Sequence, residues 1–304
     1  MEFENINNAL GNGLLSFPIT DFDEHGNFNP VGFSDRVNWF MEHEISAVFV
    51  AGGTGEFFSL SGEEYRQIVA VSTTTVDGKV PVLSSVGRSI PEAIEFAKIA
   101  EDAGIDGLLL MPPYLTGCPE GGLITYARTI MQHTRLPVVY YNRANGILSS
   151  KGVAMLADAC PNLIALKDGT GNMQELNDTI KTVGNRLTYI GGVPTAEIIS
   201  EAYLSIGVNT YSSAVFNFVP EMAIAFYKAL RAGDNARVTE IIKSFFIPFV
   251  RLRSKKSGYA VSLIKAGADL IGKPAGDVRA PLEMPAPAEV EELKLLIDKA
   301  ATLI

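Results

Sequence analysis

A lysine ends an apolar run and is followed at once by acidic, glycine and threonine residues. Residues 163–167 read Leu-Ile-Ala-Leu-Lys, and Asp168, Gly169 and Thr170 come next. If the run is a strand of a closed parallel barrel, its carboxyl end opens into the active-site mouth. A lysine in such a partly dry position loses proton affinity, and its amine can attack a carbonyl carbon to form a Schiff base. The alternative is a solvated lysine at a strand end, the commoner situation for a lysine considered alone.

A tyrosine pair ends another apolar run. Val138-Val139-Tyr140-Tyr141 is followed by Asn142 and Arg143. Neighbouring residues on a strand point to opposite faces, so one tyrosine of the pair should face the barrel interior. If its strand neighbours that of Lys167, Tyr141 can move protons for a Schiff base, although a packed ring with a satisfied hydroxyl is the alternative. Arg143 can bind a carboxylate through two parallel hydrogen bonds, or it can be an exposed loop residue.

Three other apolar runs end in glycine, threonine or serine residues. Residues 52–56 read Gly-Gly-Thr-Gly-Glu, so the amides around Gly53 and the Thr54 hydroxyl can cradle a carboxylate or phosphate. The alternative is a tight turn that needs glycine for its backbone angles. The last two runs end at residues 191–195, which begin with Gly191, and at residues 211–213, which contain Ser212 and Ser213. Barrels often bind phosphate at these turns, and the turns can equally hold a second carboxylate. Gly191, Ser212 and Arg143 all stay open as ligands of that second carboxylate.

Eight short apolar runs alternate with amphipathic segments and can position these side chains. The alternation predicts an α/β fold with right-handed crossovers, and eight units predict a (β/α)8 TIM barrel. No Gly-x-Gly-x-x-Gly turn follows the first run, which counts against an open dinucleotide-binding sheet. The predicted strands are Gly13–Ile19, Ala47–Gly52, Val80–Val86, Gly107–Met111, Pro137–Tyr141, Leu163–Lys167, Leu187–Gly191 and Val208–Ser213. The predicted helices include Pro30–Ile45, Gly62–Val76, Ile90–Ala103, Glu120–Thr134 and Met173–Val183.

The pattern changes after residue 232. We expect a catalytic barrel over residues 1–232 and a C-terminal helical layer over residues 233–304, with helices at Asp234–Arg253, Ser257–Ile271 and Ala288–Ala300. The apolar side chains of this layer are expected to pack on the barrel, with another subunit as the alternative; they include Phe245, Phe246, Ile247 and Phe249. Its lysines 255, 256 and 265 are expected to be solvated or structural.

Composition narrows the classes of function. The chain has 304 residues and a net charge of -9, so nucleic acid and anionic membrane surfaces are poor partners. The amino terminus lacks the basic and apolar segments of a signal peptide, and no stretch approaches the apolar length of a membrane span. Two cysteines, Cys118 and Cys160, provide no disulfide framework, which favours a reducing cytoplasm.

The sequence lacks the residue patterns that several other kinds of enzyme need. His25, His43 and His133 show no metal-ligand spacing, so a zinc-dependent aldolase is not expected. Neither a Gly-x-Ser-x-Gly elbow nor a Walker loop is present. These absences leave a covalent Schiff base on Lys167, which needs neither a metal nor an organic cofactor, as the chemistry to test against the remaining motifs.

Together these motifs resemble the dihydrodipicolinate synthase / N-acetylneuraminate lyase superfamily of Schiff-base-forming barrels. The resemblance covers nearly the whole chain, from Ser16-Phe17-Pro18 through 53–56, 141–142 and 167–172 to the C-terminal helices. It implies that Lys167 is the Schiff-base lysine and Tyr141 the proton-transferring tyrosine. It also implies that Thr54 and nearby amides hold the carboxylate beside the keto group. Homodimers, often paired as homotetramers, are the implied assembly.

Three departures separate this chain from the synthases. Gly53 stands where synthases usually carry a second hydroxyl residue, and Leu115 replaces one tyrosine of the pair after the fourth strand. Both partners of the synthase's tyrosine relay therefore look absent, which counts against synthase activity. The loop 142–146 is also shorter than the synthase pattern, so the synthase's carboxylate-binding arginine does not map directly onto Arg143.

Three longer phrases resemble one subgroup, the decarboxylating 5-dehydro-4-deoxyglucarate dehydratases. They span residues 52–60, 141–145 and 257–267. The resemblance implies loss of water and carbon dioxide from a keto sugar diacid, giving 2,5-dioxopentanoate in hexarate catabolism. The base that removes the C4 proton stays open between a Tyr141 phenolate and a bound water. The alternatives are an aldolase that releases pyruvate from a 2-keto-3-deoxy sugar acid and a non-catalytic sugar-acid binder.

Overall fold

Eight parallel strands form a closed barrel, each paired with its neighbours in chain order. The structure is a computed structural model that describes residues 3–114 and 116–304. Strand β8 pairs with β1 and closes the ring, which confirms the (β/α)8 prediction. The strands are β1 Leu15–Ser16, β2 Ala47–Val50, β3 Val82–Val86, β4 Gly107–Leu110, β5 Val138–Asn142, β6 Leu163–Asp168, β7 Thr188–Gly191 and β8 Thr210–Ser213.

Side-chain alternation along the strands produces two hydrophobic layers. Inward residues such as Leu15, Leu83 and Val139 form a cluster within the barrel. The outward residues of the same strands, such as Val48 and Leu108, join a larger cluster beneath the surrounding helices. Because both faces are covered, the strands read as nearly continuous apolar runs. The packed interior leaves the carboxyl ends of the strands as the open end of the barrel.

Sequence analysis did not anticipate the first helix, α1, which spans Phe3–Gly11. Its residues Ile6 and Leu10 are fully buried and belong to the same cluster as the barrel interior. The helix contacts β6 and β7. Because it supplies apolar side chains to the interior cluster, α1 is part of the barrel core.

The first strand is shorter than the predicted Gly13–Ile19. Pro18 has no amide hydrogen to donate, and the amide of Ile19 donates to Asn217 Oδ1 at 3.0 Å. The chain therefore leaves the ladder after Ser16, and Phe17 turns into the interior cluster.

The helices around the barrel follow the predicted alternation. Helix α2 ends five residues before the predicted Ile45, because tight turns connect the amides of Glu42 and His43 to Trp39 and Phe40. No helix in the described ranges has the length and apolar character needed to cross a bilayer. The bounds are α2 Pro30–Phe40, α3 Gly62–Val76, α4 Ile90–Asp102, α5 Glu120–Met131, α6 Ser150–Ala159, α7 Met173–Val183, α8 Ser200–Ser205 and α9 Pro220–Ala232.

Four further helices follow residue 232. They are α10 Asn235–Ile241, α11 Ile247–Arg253, α12 Tyr259–Leu270 and α13 Pro287–Ala301. The predicted single helix Asp234–Arg253 is interrupted by a wider turn over residues 242–246. Pro248 lacks an amide hydrogen, so it removes one helical hydrogen bond where the wide turn meets α11.

The aromatic side chains of this C-terminal layer pack on the barrel. Phe249 and Phe245 lie 5.9 and 6.4 Å from Phe218, which follows β8, measured between ring centroids. Phe246 lies 4.9 Å from Phe226 of α9. Ile247 is only partly buried. The layer is thereby fixed over the carboxyl ends of the last strands, where it can reach the barrel mouth.

Candidate active site

Lys167 and Tyr141 lie side by side at the open end of the barrel. They are register partners on the neighbouring strands β6 and β5. Each side chain is only 4% exposed. The Lys167 Nζ atom lies 4.4 Å from the centroid of the Tyr141 ring and 4.0 Å from that of Phe17. The predicted neighbourhood of these two residues therefore exists, with Phe17 as a third member.

The amine of Lys167 is held in a dry and cation-rich setting. Within the described residues it forms no hydrogen bond or ion pair with the protein. Burial, with a smaller contribution from the nearby Arg143 cation, lowers the pKa of Lys167 to about 7. A large share of the amine is therefore neutral near pH 7 and has the lone pair that a nucleophile needs.

Gly192 makes room for the lysine side chain. A Cβ atom at position 192 would lie 2.5 Å from Lys167 Cγ and 2.7 Å from the backbone oxygen of Asp168. Neither distance is compatible with a side chain at this position. Position 192 therefore requires glycine, because the Lys167 side chain passes directly against its backbone.

The Tyr141 hydroxyl occupies a defined hydrogen-bond position. It donates to the Gly192 carbonyl at 2.8 Å, and Arg143 Nη1 donates to it at 3.1 Å. Burial raises the pKa of Tyr141, while the Arg143 cation partly opposes that rise and the Asp168 charge adds to it. The net direction keeps the hydroxyl protonated at neutral pH. The adjacent Tyr140 faces the outer layer, where its hydroxyl donates to Gly146.

The glycine-rich turn after β2 brings Gly53 and Thr54 to the barrel mouth, where both are partly exposed. Two residues of the turn, Ala51 and Glu56, adopt left-handed backbone angles of 48° and 57° in φ. Such strained positions persist only where the surroundings fix them. The Glu56 carboxylate provides this restraint, because it is fully buried and lies 3.1 Å from Lys265 Nζ of α12.

A cavity of about 380 Å³ collects most of the predicted site residues. Within the described residues, its charged lining groups are all basic. The cavity therefore suits an anionic substrate despite the acidic charge of the whole chain. The predicted residues that line it are Gly53, Thr54, Tyr141, Arg143, Lys167 and Ser212.

Gly191 does not line this cavity. A Cβ atom there would lie 2.7 Å from Tyr203 Cε2 and 3.0 Å from Tyr211 Cβ. The glycine thus serves the packing of two tyrosine rings, and its neighbour Gly192 faces the cavity instead. The expectation that Gly191 contacts substrate is not supported by this geometry, because strand alternation turns the two glycines to opposite sides.

Asp168 has a structural position next to the lysine. Its carboxylate accepts hydrogen bonds from the Thr170 amide and hydroxyl, the Gly171 amide and the Tyr203 hydroxyl, at 2.7 to 3.1 Å. These bonds close the turn after β6. The turn is thereby fixed immediately behind Lys167.

The residues that line the cavity without having been predicted from the sequence include Gly192, Thr195 and Arg253. Gly192 and Thr195 stand in the run that suggested Gly191, but only the fold shows which residue of that run faces inward. Arg253 ends α11, and along the sequence it looks like the neighbouring exposed Arg251. Only the packing of the C-terminal layer brings Arg253 to the cavity.

A larger cavity of about 810 Å³ adjoins the first one. Gly53, Phe58 and Met111 line both, but Lys167 and Tyr141 do not reach the larger cavity. The smaller cavity is therefore the one that contains the predicted catalytic lysine. Tyr114, which is 68% exposed, lines the larger one, whereas Leu115 lies outside the described residues.

No group of three or more histidine, cysteine, aspartate or glutamate side chains in the described part of the chain is arranged to hold a metal ion. Cys118 is exposed and Cys160 is buried, and both are free thiols.

Comparison with known proteins gives relatives of nearly identical length. A probable 5-dehydro-4-deoxyglucarate dehydratase of Delftia acidovorans is 46% identical over 97% of this chain and 98% of its own. A protein of the same name from Allorhizobium ampelinum is 48% identical over 98% of this chain and 99% of its own. The corresponding protein of Rhizobium rhizogenes is 47% identical over 97% of both chains.

Solved structures share the barrel and its helical layer. The dihydrodipicolinate synthase of Bacillus clausii superposes with a TM-score of 0.89 at 26% identity, covering 96% of this chain and 98% of that one. The enzyme of Oceanobacillus iheyensis gives the same TM-score at 25% identity over 98% and 99% of the two chains. The sequence profile of the dihydrodipicolinate synthetase family matches residues 11–300, and this chain belongs to that family.

Proposed function

We propose that this protein is a lyase that converts 5-dehydro-4-deoxy-D-glucarate to 2,5-dioxopentanoate, water and carbon dioxide through a Schiff base on Lys167. The observation that carries the proposal is the buried Lys167 amine beside Tyr141 in a cavity whose charged groups are basic. The relatives that are 46 to 48% identical over nearly their full length support this reaction for the chain.

Schiff-base formation begins with the neutral amine of Lys167. Its Nζ attacks the C5 ketone carbon, and the ketone oxygen leaves as water after proton transfers. The resulting iminium withdraws electrons from C4 and acts as an electron sink. Because the sink is formed by lysine and substrate, the sequence of steps needs neither a metal ion nor an organic cofactor.

Dehydration uses that electron sink. A base removes a C4 proton to form an enamine, which expels the C3 hydroxyl as water and leaves a C3–C4 double bond conjugated to the iminium. The raised pKa of Tyr141 keeps its hydroxyl protonated. We therefore assign Tyr141 to proton delivery and relay, with bound water as the candidate for the C4 base. Such transfers contribute about 10²- to 10⁴-fold each.

Decarboxylation uses the same iminium as its electron sink, and the new C3–C4 double bond connects that iminium to C2. The C1–C2 bond breaks, carbon dioxide leaves, and the electron pair passes through C2–C3 and C4–C5 to nitrogen. Protonation of carbon, ketonisation of the C2 enol and hydrolysis of the iminium release 2,5-dioxopentanoate. One lysine thus serves both eliminations.

Substrate binding is assigned to the basic cavity. The turn around Gly53 and Thr54 would hold the carboxylate next to the keto group, across the barrel from β6. Arg143 would serve the reacting centre, since it already donates to the Tyr141 hydroxyl. Ser212 lines the same cavity and is available for a substrate hydroxyl or carboxylate.

The wider setting follows from the family and the composition. We propose a homodimer or homotetramer, as the family resemblance implies, with a small keto sugar diacid as the partner rather than nucleic acid or membrane. Two free cysteines favour a cytoplasmic location. We further propose that the barrel, 1–232, and the helical layer, 233–304, act as one catalytic unit, since α12 restrains the turn at Glu56.

Product analysis tests the reaction. Purified protein is incubated with 5-dehydro-4-deoxyglucarate, and the products are followed by mass spectrometry. Loss of one water and one carbon dioxide is expected, whereas an unchanged acid or released pyruvate would overturn the proposal and favour a binder or an aldolase. Lys167→Ala should abolish turnover and the borohydride-trapped adduct, while Lys181→Ala, an exposed lysine on α7, should change neither.

A further inference from the structure

Arg253 reaches the active-site cavity from outside the barrel. It is the last residue of α11, and its side chain is partly buried where it lines the same cavity as Lys167 and Arg143. Its exposed neighbour on the helix, Arg251, has no such position. The C-terminal layer therefore contributes a cation to the cavity that holds the lysine.

The guanidinium of Arg253 has unused hydrogen-bond capacity. It donates from Nη1 to the Thr195 hydroxyl, and within the described residues it makes no other hydrogen bond and has no carboxylate within 4.0 Å. A guanidinium carries five donors in a fixed plane, and a partly buried cation is costly to leave unpaired. The arrangement therefore leaves a fork of donors available to an anion in the cavity.

Glu197 does not neutralise this cation fully. It is 1% exposed, and burial raises its pKa to about 7, so part of it is uncharged near neutral pH. Its Oε1 accepts from the Ser213 hydroxyl at 2.8 Å, and no ion pair joins it to Arg253. Burial lowers the pKa of Arg253, and the Glu197 charge opposes that change only in part.

The barrel places the two arginines on either side of the lysine. Arg143 follows β5, Lys167 is the penultimate residue of β6, and Thr195, the partner of Arg253, follows β7. Arg143 is engaged with the Tyr141 hydroxyl at 3.1 Å. That bond places Arg143 beside the reacting centre, whereas Arg253 approaches from the β7 side of the lysine. A substrate bound at Lys167 with its keto-side carboxylate towards Thr54 can therefore direct its second carboxylate to the free donors of Arg253.

We propose that Arg253, oriented by Thr195, binds the distal carboxylate of the substrate and selects dicarboxylic over monocarboxylic 2-oxo acids. The inference rests on the proposed function and adds a recognition residue to it. Because the distal carboxylate departs as neutral carbon dioxide, a cation that holds it stabilises the bound substrate more than the bond-breaking step. The interaction therefore belongs to capture of the substrate, and its loss should raise KM without lowering kcat.

An unreactive pair of ligands tests this recognition without turnover. 2-Oxoadipate has the six-carbon chain and both carboxylates but lacks hydroxyl groups to eliminate, whereas 2-oxohexanoate replaces the distal carboxylate by a methyl group. Each condenses with the Lys167 amine with loss of water, and borohydride delivers hydride to the iminium carbon and fixes the adduct. The concentration of each acid that gives half-maximal trapping is measured by intact-protein mass spectrometry.

Arg253→Gln should raise the half-saturating concentration of 2-oxoadipate by about 10- to 100-fold, as expected for a lost charge-assisted pair. The value for 2-oxohexanoate should stay within about twofold, which also shows that the variant is folded. Arg253→Lys should fall between these values because it keeps the charge but not the fork. Arg251→Gln, on the exposed face of the same helix, should leave both values unchanged.

Equal effects of Arg253→Gln on both acids, or no effect on either, would overturn the inference and leave Arg253 with a packing role. The proposed function fails in a different way. In that case the wild-type protein would be trapped by both acids but would not convert 5-dehydro-4-deoxyglucarate.

Discussion

The side chain of Lys167 passes directly over the backbone of Gly192, at a distance that leaves no space for a methyl group. A Cβ atom on Gly192 would lie 2.5 Å from Lys167 Cγ and 2.7 Å from Lys167 Cε. The carbonyl oxygen of the same glycine accepts a hydrogen bond from the Tyr141 hydroxyl at 2.8 Å. One residue without a side chain thus sets the positions of the amine and the hydroxyl together.

Gly192→Ala should therefore impair catalysis more than it impairs folding. The added methyl group must displace the lysine stem, and small misplacements of a reacting group cost about 10²-fold in rate. We expect kcat to fall by about that factor and borohydride trapping of pyruvate to slow in parallel. Gly121→Ala on α5 is the matched control, because a Cβ atom there meets no atom within 4 Å. Normal trapping by Gly192→Ala would contradict the steric account.

The pH dependence of Schiff-base formation should follow the Lys167 amine. Its pKa is lowered to about 7, and only the neutral amine, which predominates above that pH, can attack. The trapping rate should therefore fall about tenfold per pH unit below pH 7 and level off above it. Removing the like charge with Arg143→Gln raises the pKa of Lys167 and should move the midpoint to higher pH. Trapping rates measured between pH 5 and 9 check this.

Arg251→Gln is the control for that shift, since Arg251 is exposed and does not line the cavity. An unchanged midpoint in Arg143→Gln would show that burial alone sets the pKa of Lys167. That result would also show that the charge of Arg143 has no effect on the reacting centre.

Tyr141→Phe should lower kcat by about 10²- to 10⁴-fold with little change in KM, because it removes a proton-transferring hydroxyl and keeps the ring over the lysine. Tyr140→Phe is a control on the adjacent residue. It removes a hydroxyl that donates to the Gly146 carbonyl in the outer layer, so we expect a stability loss of about 1 kcal/mol and near-normal kcat. Steady-state kinetics and urea unfolding of both variants distinguish the roles, and a large KM effect with unchanged kcat in Tyr141→Phe would reject proton transfer.

The sequence predicts the barrel and the pairing of Lys167 with Tyr141 because both depend on local patterns. Buried parallel strands read as apolar runs, and the carboxyl ends of neighbouring strands meet at one rim. The ends of β5 and β6 were predicted within one residue. The length of β1 was not predicted, because its hydrogen bonding to the neighbouring strands ends where Pro18 lacks an amide hydrogen and Ile19 donates to the Asn217 side chain.

The rest of the site depends on distant packing, which local patterns do not reveal. Gly191 and Gly192 are indistinguishable along the chain, and the pleat of β7 alone decides that Gly192 faces the lysine. Arg253 lies far from Lys167 along the chain, and it enters the cavity because Phe249 of α11 packs on Phe218. Helix α1 carries no catalytic motif, and its role in filling the barrel interior appears only in three dimensions.

The buried ion pair between Lys265 and Glu56 should stabilise both the fold and the turn that we propose binds a substrate carboxylate. Both side chains are fully buried, with Nζ and Oε1 3.1 Å apart, and Glu56 also accepts from the Arg279 amide at 3.0 Å. Lys265→Met leaves the glutamate charge buried without its partner, so we expect a loss of about 3–5 kcal/mol in the free energy of unfolding. Since Glu56 ends the turn that carries Thr54, the KM for the diacid should rise as well.

A double-mutant cycle isolates the pair from simple packing. Lys265→Met/Glu56→Gln removes both charges and should be destabilised by less than the sum of the single variants, with a coupling of about 1–3 kcal/mol in urea unfolding. Lys181→Met, on the exposed surface of α7, should change the unfolding free energy by less than about 0.5 kcal/mol. Strict additivity of the two single changes would mean that Lys265 acts through its apolar stem, and the turn would then owe its strained angles to other contacts.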